Sequence, residues 1–150
     1  MEQKVKRFSE LSCDELYDIL QLRVAVFVVE QACAYPEVDG RDRRAYHVFF
    51  TDERGIHAYA RVLDRGVSFD DVSIGRVVAR QRGCGMGEKV MRAAMETARE
   101  RLHAERIKIE AQCYAKAFYE KLGFRAVSAE FLEDGIPHVE MLWEASPGGR

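Results

Sequence analysis

The sequence predicts one domain of the α/β (or α+β) class, in which helices flank a mixed β-sheet. Three observations support this fold class. The composition is ordinary for a globular protein, with 47% apolar and 32% charged residues among 150. Segments of strand and helix periodicity follow one another in the order β-α-β-β-β-α-β-α-β-β. A glycine-rich turn also joins one strand directly to the longest helix. A chain of this length suffices for one hydrophobic core, so we expect residues 1–150 to form a single domain.

Charge and cysteine content exclude several classes of function. Twenty-three basic and 25 acidic residues leave a net charge of −2, so no global field favours a nucleic-acid partner. The longest apolar stretch, Val24 to Val29, is much shorter than the roughly 20 residues of a membrane span. Met1 to Lys4 leads into no hydrophobic signal core. The four cysteines form no C-x-x-C pair, so we expect a cytoplasmic protein with reduced thiols, no metal and no membrane partner.

The first elements are a strand and a well-capped helix. Lys4 to Phe8 is expected to form a short strand. Ser12 and Glu15 then have the spacing of a capping box, which marks the start of a helix. Apolar residues at helical intervals extend this helix to about Val28.

Three strands are predicted next, after a polar loop over Tyr35 to Gly40. They are rich in β-branched and aromatic residues, and a turn at Asp52 to Gly55 joins the first two. We expect an antiparallel meander of Ala45 to Thr51, Ile56 to Leu63 and Val72 to Ala79.

The second half of the chain contains the best helix and a closing hairpin. Apolar residues recur at three- and four-residue steps from Met86 to Leu102. Gly123 is expected to end a short helix at its C′ position. The remaining elements are predicted as a strand at Ile107 to Ala111, a helix at Tyr114 to Leu122, strands at Phe124 to Phe131 and Ile136 to Trp143, and a frayed tail at Ser146 to Arg150.

The glycine-rich turn between the strand ending at Ala79 and the long helix is a candidate anion site. The unpaired N–H groups of a helix's first turn favour phosphate, and glycine lets the backbone approach closely. A dinucleotide fingerprint would need glycine where Glu88 stands, and a P-loop would need a different residue than Val90 after Lys89. The pattern that fits is R-x-x-G-x-G, formed by Arg82, Gly85 and Gly87.

With this loop the sequence resembles the GNAT superfamily of acyl-CoA-dependent N-acetyltransferases, in which R-x-x-G-x-G binds the pyrophosphate of coenzyme A. A second signature of that family is matched by the run Ala117 to Phe124. Leu20 to Gln31, Tyr35 to Gly40 and Asp134 to Met141 resemble the ElaA-like subgroup. The resemblance covers about Leu11 to Leu142, which is nearly the whole chain.

The resemblance implies the GNAT fold, a mostly antiparallel sheet whose fourth and fifth strands splay apart to form a slot for acetyl-CoA. The fourth strand pairs with the pantetheine arm in that family, and the matching positions are Arg76, Val77 and Val78. Pyrophosphate is expected on Arg82 and on the N–H groups of Gly83, Cys84, Gly85, Met86 and Gly87. Gln112 stands where many relatives have a cofactor-contacting Asn, and Tyr119 is expected at the thioester.

The implied reaction is direct attack of an amine on the acetyl thioester, through a tetrahedral intermediate that a backbone N–H such as that of Val78 stabilises. Tyr119 matches the family's general acid, although its position between apolar helix residues also suits a core residue. Glu110 is a candidate base or a solvated strand residue, and Glu30 is a candidate for the acceptor pocket or a helix end. His138 is a candidate catalytic or structural histidine.

Two alternatives and several choices stay open from the sequence. The chain would be a non-catalytic CoA-binding regulator if it lacked turnover, or a nucleotide-binding protein if it bound ATP or NAD instead of CoA. The amine acceptor is not identified, and a homodimer is compatible with the resemblance. Arg23 interrupts the apolar face of the first helix, and it is a candidate to bind an acidic group of the acceptor or a core carboxylate. We expect the second, with Asp39 or Asp42 as its partner.

Overall fold

One mixed sheet forms the centre of the protein, described here by a computed structural model that covers residues 1–146. Of the tail predicted over Ser146 to Arg150, all but Ser146 lies outside the described residues. The strand order within the described part is β1-β2-β3-β4-β5-β8-β6, with β7 paired to β8. The strands are β1 (Glu2–Arg7), β2 (Ala45–Asp52), β3 (Gly55–Leu63), β4 (Val72–Ala79), β5 (Arg106–Gln112), β6 (Arg125–Ala126), β7 (Phe131–Glu133) and β8 (Ile136–Glu144).

Over residues 1–146, three α-helices accompany the sheet: α1 (Cys13–Arg23), α2 (Met86–Leu102) and α3 (Lys116–Lys121). The capping box of α1 is confirmed, since the Glu15 N–H donates to Ser12 Oγ and the Ser12 N–H donates to the Glu15 carboxylate. The helical backbone predicted to run to about Val28 extends to Glu30, but its last seven residues are not α-helical. It continues after α1 as a π-helical segment, Val24–Glu30. Such segments are rare in proteins, and those that occur are often located at functional sites. No helix in the described chain is long and apolar enough to cross a membrane.

The sheet buries one hydrophobic core on each face. On one face, the apolar stripe of α2, including Val90, Met91 and Ala94, packs on the central strands. On the other face, Ile19 of α1 packs against Tyr59 of β3 in a smaller cluster. The predicted class, a mixed α/β sheet flanked by helices, is confirmed, and so is the antiparallel meander of β2, β3 and β4.

The parallel strands β4 and β5 separate soon after they meet. They pair only at Val72 with Ile107 and at Ser73 with Lys108. Further along, the register of β4 against β3 shifts, because Arg61 opposes Gly75 whereas Tyr59 opposes Val78. One residue of β3 therefore faces two of β4, which is a β-bulge at Arg76 and Val77. The predicted slot between the fourth and fifth strands is thus present.

The closing hairpin differs from its prediction. The strand expected over Phe124 to Phe131 is broken into β6 and β7, which both pair with β8. Ser128 lies in the break, and its Oγ accepts the Glu140 N–H at 2.9 Å. A side chain there replaces a backbone partner, so β8 remains hydrogen-bonded while the ladder is interrupted.

Candidate active site

A cleft of about 530 Å³ opens where β4 and β5 separate. Its walls come from these two strands, from the loop after the π-helical segment and from the β7–β8 hairpin. Six residues selected from the sequence line it: Arg76, Val77, Glu110, Gln112, Tyr119 and His138. The remaining sequence-selected residues lie outside this lining. Val78 is buried in the core beneath α1, and Glu30 and residues 82–87 lie at the glycine-rich loop.

The glycine-rich loop has the backbone geometry that the sequence pattern predicts. Gly83 and Gly85 have φ values of +80° and +79°, in the left-handed region that glycine adopts without strain. Gly85 is the N-cap of α2, and the helical ladder begins with the Lys89 N–H donating to its carbonyl. The N–H groups of Met86 and Gly87 precede that ladder and point out of the helix end, where an anion is favoured.

Glu30 lies beside this loop instead of in the cleft. Its carboxylate binds the guanidinium of Arg82 at 2.7 Å, and both side chains are exposed. The sequence suggested Glu30 as an acceptor-pocket residue or a helix end. The helical backbone continues through the π-helical segment to Glu30, and this brings the carboxylate to the loop that carries Arg82.

The bulge residue Arg76 is held by the segment between α1 and β2. Arg76 has a φ of +53°, which is unfavourable for a residue with a side chain. Its guanidinium binds Glu37 at 2.9 Å and Asp39 at 3.4 Å. The side chain therefore fixes the bulge from outside the strand, a role that the sequence analysis did not assign to it.

The same carboxylates belong to a buried ion network. Arg23 is fully buried and binds Glu37 and Asp42, and Arg61 binds Asp39 and Asp42 at 2.9 and 3.1 Å. The expected pairing of Arg23 with Asp42 is present, whereas Asp39 pairs with Arg61 instead. With Arg76 included, the network joins three guanidinium groups to three carboxylates, and the exposed Arg41 adds a longer contact to Asp39 at 3.7 Å.

Burial and pairing shift the pKa values within this network. Burial alone would raise the pKa of Asp39, but the hydrogen bonds and charge of Arg61 outweigh it and lower the pKa to about 2. The pKa of Asp42 is also lowered, because Arg23 and Arg61 outweigh its burial. Both carboxylates are therefore ionised throughout the neutral range. Sequence spacing gave no signal for Glu37, since its partners come from α1 and β4.

Tyr119 presents a phenol to the cleft from α3. Its ring packs edge-on against Phe118 and Phe124, at centroid distances of 5.0 and 6.0 Å. Burial raises the pKa of Tyr119 to about 12. The phenol is consequently protonated at neutral pH and can donate a proton or a hydrogen bond. Within residues 1–146 its hydroxyl has no hydrogen-bond partner.

Glu110 lines the same cleft from β5. Burial raises its pKa, and the nearby carboxylates of Glu133 and Glu140 raise it further. The ammonium group of Lys108 forms an ion pair with the Glu140 carboxylate at 3.1 Å. Among the described residues Glu110 has neither an ion pair nor a hydrogen bond to its carboxylate. A half-buried carboxylate with a raised pKa is suited to accept a proton.

His138 and Gln112 lie next to each other across the β5–β8 pair. The Nδ1–H of His138 donates to the Ile136 carbonyl at 2.7 Å, so Nε2 is the nitrogen left for other partners. The ring stacks on Phe131. The Gln112 amide hydrogen-bonds to Gln31, which lies just beyond the π-helical segment.

Comparison with known proteins identifies the family. A GNAT acetyltransferase domain profile matches residues 14–145. A UPF0039 protein of Schizosaccharomyces pombe is 43% identical over 143 residues, which are 93% of this chain and 94% of that one. ElaA of Escherichia coli is 39% identical over 140 residues, covering 91% of this chain and 92% of its own.

Solved structures agree with the sequence comparison. The crystal structure of an acyl-CoA N-acyltransferase from Pseudomonas aeruginosa is 37% identical, with a TM-score of 0.89, and the match covers 95% of this chain and 99% of that one. The crystal structure of E. coli ElaA superimposes with a TM-score of 0.88. The resemblance seen in the sequence is thereby confirmed. The chain belongs to the GNAT acetyltransferase family, in the group of relatives that includes ElaA.

Proposed function

We propose that this protein transfers an acetyl group from acetyl-CoA to a primary amine. The observation that carries the proposal is the cleft itself, which opens between β4 and β5 and holds Tyr119 and Glu110 together. A slot between unpaired strand backbones offers hydrogen bonds to an extended pantetheine arm. The family membership supports acyl transfer as the reaction class.

In this proposal, different residues bind the successive groups of acetyl-CoA. The pyrophosphate binds Arg82 and the N–H groups of residues 83–87, and the pantetheine arm runs beside Arg76, Val77 and Val78 of β4. Gly83 and Gly85 support this, because their left-handed backbone opens the helix end to an anion. Gln112 lines the same cleft as Tyr119, where it can contact the pantetheine arm.

The chemical step needs a base, an oxyanion donor and an acid. The amine nitrogen attacks the acetyl carbonyl carbon, so that a C–N bond forms and the C–S bond then breaks. The amine proton passes to Glu110, whose raised pKa makes it a better base than a solvated carboxylate. A backbone N–H of the β4 bulge, at Arg76 or Val77, donates to the oxyanion. Val78, which the sequence suggested for this role, lies beyond the bulge and pairs with Tyr59 of β3.

The leaving thiolate receives the phenolic proton of Tyr119, which then recovers a proton from solvent. The raised pKa of Tyr119 keeps it in the protonated form that this step requires. His138 stands beside Gln112 with Nε2 free for a proton relay to Glu110. Glu30 acts on the cofactor side in this proposal, through Arg82, since its carboxylate is outside the cleft lining. The cytoplasm is the expected location, because it contains acetyl-CoA.

Calorimetric titration with acetyl-CoA, CoA and ATP, side by side, tests the proposal first. We expect micromolar binding of acetyl-CoA and CoA and no comparable binding of ATP. Gly85→Leu should abolish the binding of acetyl-CoA and CoA, because a side chain strains the left-handed backbone and fills the anion site. Gly66→Leu is the matched control, since Gly66 has a φ of +85° in another loop.

The outcomes separate the alternatives. Binding of CoA without release of CoA thiol in the presence of any amine would favour a regulatory module. Tight binding of ATP or NAD without CoA would instead favour a nucleotide-binding protein. Loss of CoA binding in both glycine variants would show only general destabilisation, so each variant's thermal unfolding is measured alongside.

A further inference from the structure

The end of the cleft formed by β5, β7 and β8 is the proposed acceptor site. The strand pairing shows which side chains there lie on the same face of the sheet. Paired residues of neighbouring strands project from the same face, and residues two apart along one strand do so as well. Glu110 pairs with Glu140, and Gln112 pairs with His138. His138 in turn pairs with Phe131, two residues before Glu133. The side chains of Glu110, Glu140, His138, Phe131 and Glu133 therefore share one face.

This face carries more negative charge than its own residues neutralise. Lys108 is paired with Glu140. In the described chain, neither Glu110 nor Glu133 forms an ion pair, although both line the cleft, and the positive charge of Lys108 acts on Glu110 only at longer range. Across the cleft, the guanidinium groups of Arg61 and Arg76 are bound by the carboxylates of the buried network.

A hydroxyl at the wall of the same cleft has no protein partner among the described residues. Ser73 of β4 is 3% exposed and lines the cleft on the face that carries Lys108, with which it pairs. No residue of the described part hydrogen-bonds to its Oγ. The Oγ atom is therefore open to the cleft, where it can hydrogen-bond to a polar ligand.

We propose that the acceptor is a small aliphatic diamine, whose reacting amine is placed at Glu110 and whose second ammonium group is bound by Glu133. This inference rests on the proposed acetyl transfer and names its substrate class. The products are a mono-acetylated diamine and CoA. Ser73 supplies an additional hydrogen-bond acceptor for an amine hydrogen inside the cleft.

The surface between the two carboxylates suits a hydrocarbon spacer. Ile136 lines the cleft and pairs with Glu133, and Phe131 stacks on His138 beside it. Apolar side chains there pack against methylene groups, while an ammonium group at each end faces a carboxylate. A monoamine of the same length would leave Glu133 without its cation.

The test compares 1,5-diaminopentane with n-pentylamine and 5-aminopentanol, measuring release of CoA thiol at saturating acetyl-CoA. The three acceptors share one primary amine and one chain length, so they differ only at the far end. We expect kcat/KM for the diamine to exceed that for either monoamine by about fivefold, the upper size of the effect of one exposed charge pair. Rising ionic strength should reduce this preference.

Glu133→Gln should remove the preference and bring the diamine to within about twofold of pentylamine. Glu130→Gln is the control, because Glu130 is exposed in the same hairpin segment and lies outside the cleft lining. Circular dichroism of both variants verifies folding, and the salt dependence in the unaltered protein tests the inference without any variant.

Equal kcat/KM for diamine and monoamines, or a preference that survives Glu133→Gln, would overturn the inference and leave acetyl transfer intact. Faster turnover of a lysine-containing peptide than of the diamine would also overturn it. No thiol release with any amine, despite acetyl-CoA binding, would contradict the proposed function itself.

Discussion

Arg76, on the bulge of β4, is bound through its guanidinium to the carboxylate of Glu37 at 2.9 Å. Glu37 is itself buried and also binds the fully buried Arg23 of α1. One carboxylate therefore connects the first helix with the strand that borders the cleft. The strained backbone of Arg76 persists because this pairing holds its side chain.

Glu37→Gln should destabilise the fold and weaken acetyl-CoA binding together. The amide removes the negative charge that two guanidinium groups share, and loss of one partner of a buried ion pair costs about 3–5 kcal/mol. Urea unfolding measures the loss, and calorimetry measures the affinity of the folded fraction. Glu144→Gln is the matched control, since Glu144 makes exposed ion pairs and should change stability by less than about 1 kcal/mol.

Stability should fall between about pH 4 and pH 2, because of the network carboxylates. The pKa of Asp39 is lowered to about 2 in the folded state. Ionised Asp39 therefore stabilises the fold fully at pH values above the pKa that this carboxyl group has in the unfolded chain. This contribution, about 2 kcal/mol, is lost as pH falls through the folded pKa. Urea unfolding at several pH values should show a steeper loss for the unaltered protein than for Asp39→Asn. Parallel curves for the two proteins would contradict the assignment.

Tyr119→Phe should slow turnover and spare cofactor affinity. The variant keeps the ring contacts with Phe118 and Phe124 and removes only the hydroxyl. General acid catalysis contributes roughly 10²–10⁴-fold, so a loss of kcat near the lower bound is expected for a thiolate leaving group. Steady-state kinetics and calorimetry measure the two quantities separately. An unchanged kcat would remove Tyr119 from the acid role.

The sequence predicted those parts of the fold that depend on local patterns. The capping box at Ser12, the periodicity of α2 and the glycine-rich loop are all determined within a few residues, and the structure has each of them. The presence of Tyr119 and Glu110 in one cleft followed from the family resemblance. Their catalytic roles remain predictions.

The missed features depend on distant partners. In the sequence, Glu37 is an ordinary residue of a polar loop. Its ion pairs with Arg23 and Arg76 form only in the folded protein. The break at Ser128 and the position of Glu30 likewise depend on contacts with β8 and with Arg82. Hydrophobic periodicity carries no information about such long-range polar pairings.

Glu30→Gln should strengthen the binding of CoA. The Glu30 carboxylate occupies Arg82 and adds negative charge beside the proposed pyrophosphate site. Its removal frees Arg82 and reduces repulsion, which for exposed charges amounts to about twofold to fivefold in affinity. Pantetheine lacks the pyrophosphate, so its affinity should not change. Equal gains for CoA and pantetheine would show that Glu30 acts elsewhere than on the phosphate loop.

Glu110→Gln should lower kcat/KM and remove the acidic limb of its pH dependence. A base must be deprotonated to accept the amine proton, so activity of the unaltered protein is lost as pH falls through the Glu110 pKa. Burial and the carboxylates of Glu133 and Glu140 raise that pKa, and the limb should therefore lie above the usual range for glutamate. Glu133→Gln removes one of those charges and should move the limb to lower pH. A pH profile that is identical in all three proteins would exclude Glu110 as the base, and an intact acetyl-CoA affinity in Glu110→Gln would confirm that the variant is folded.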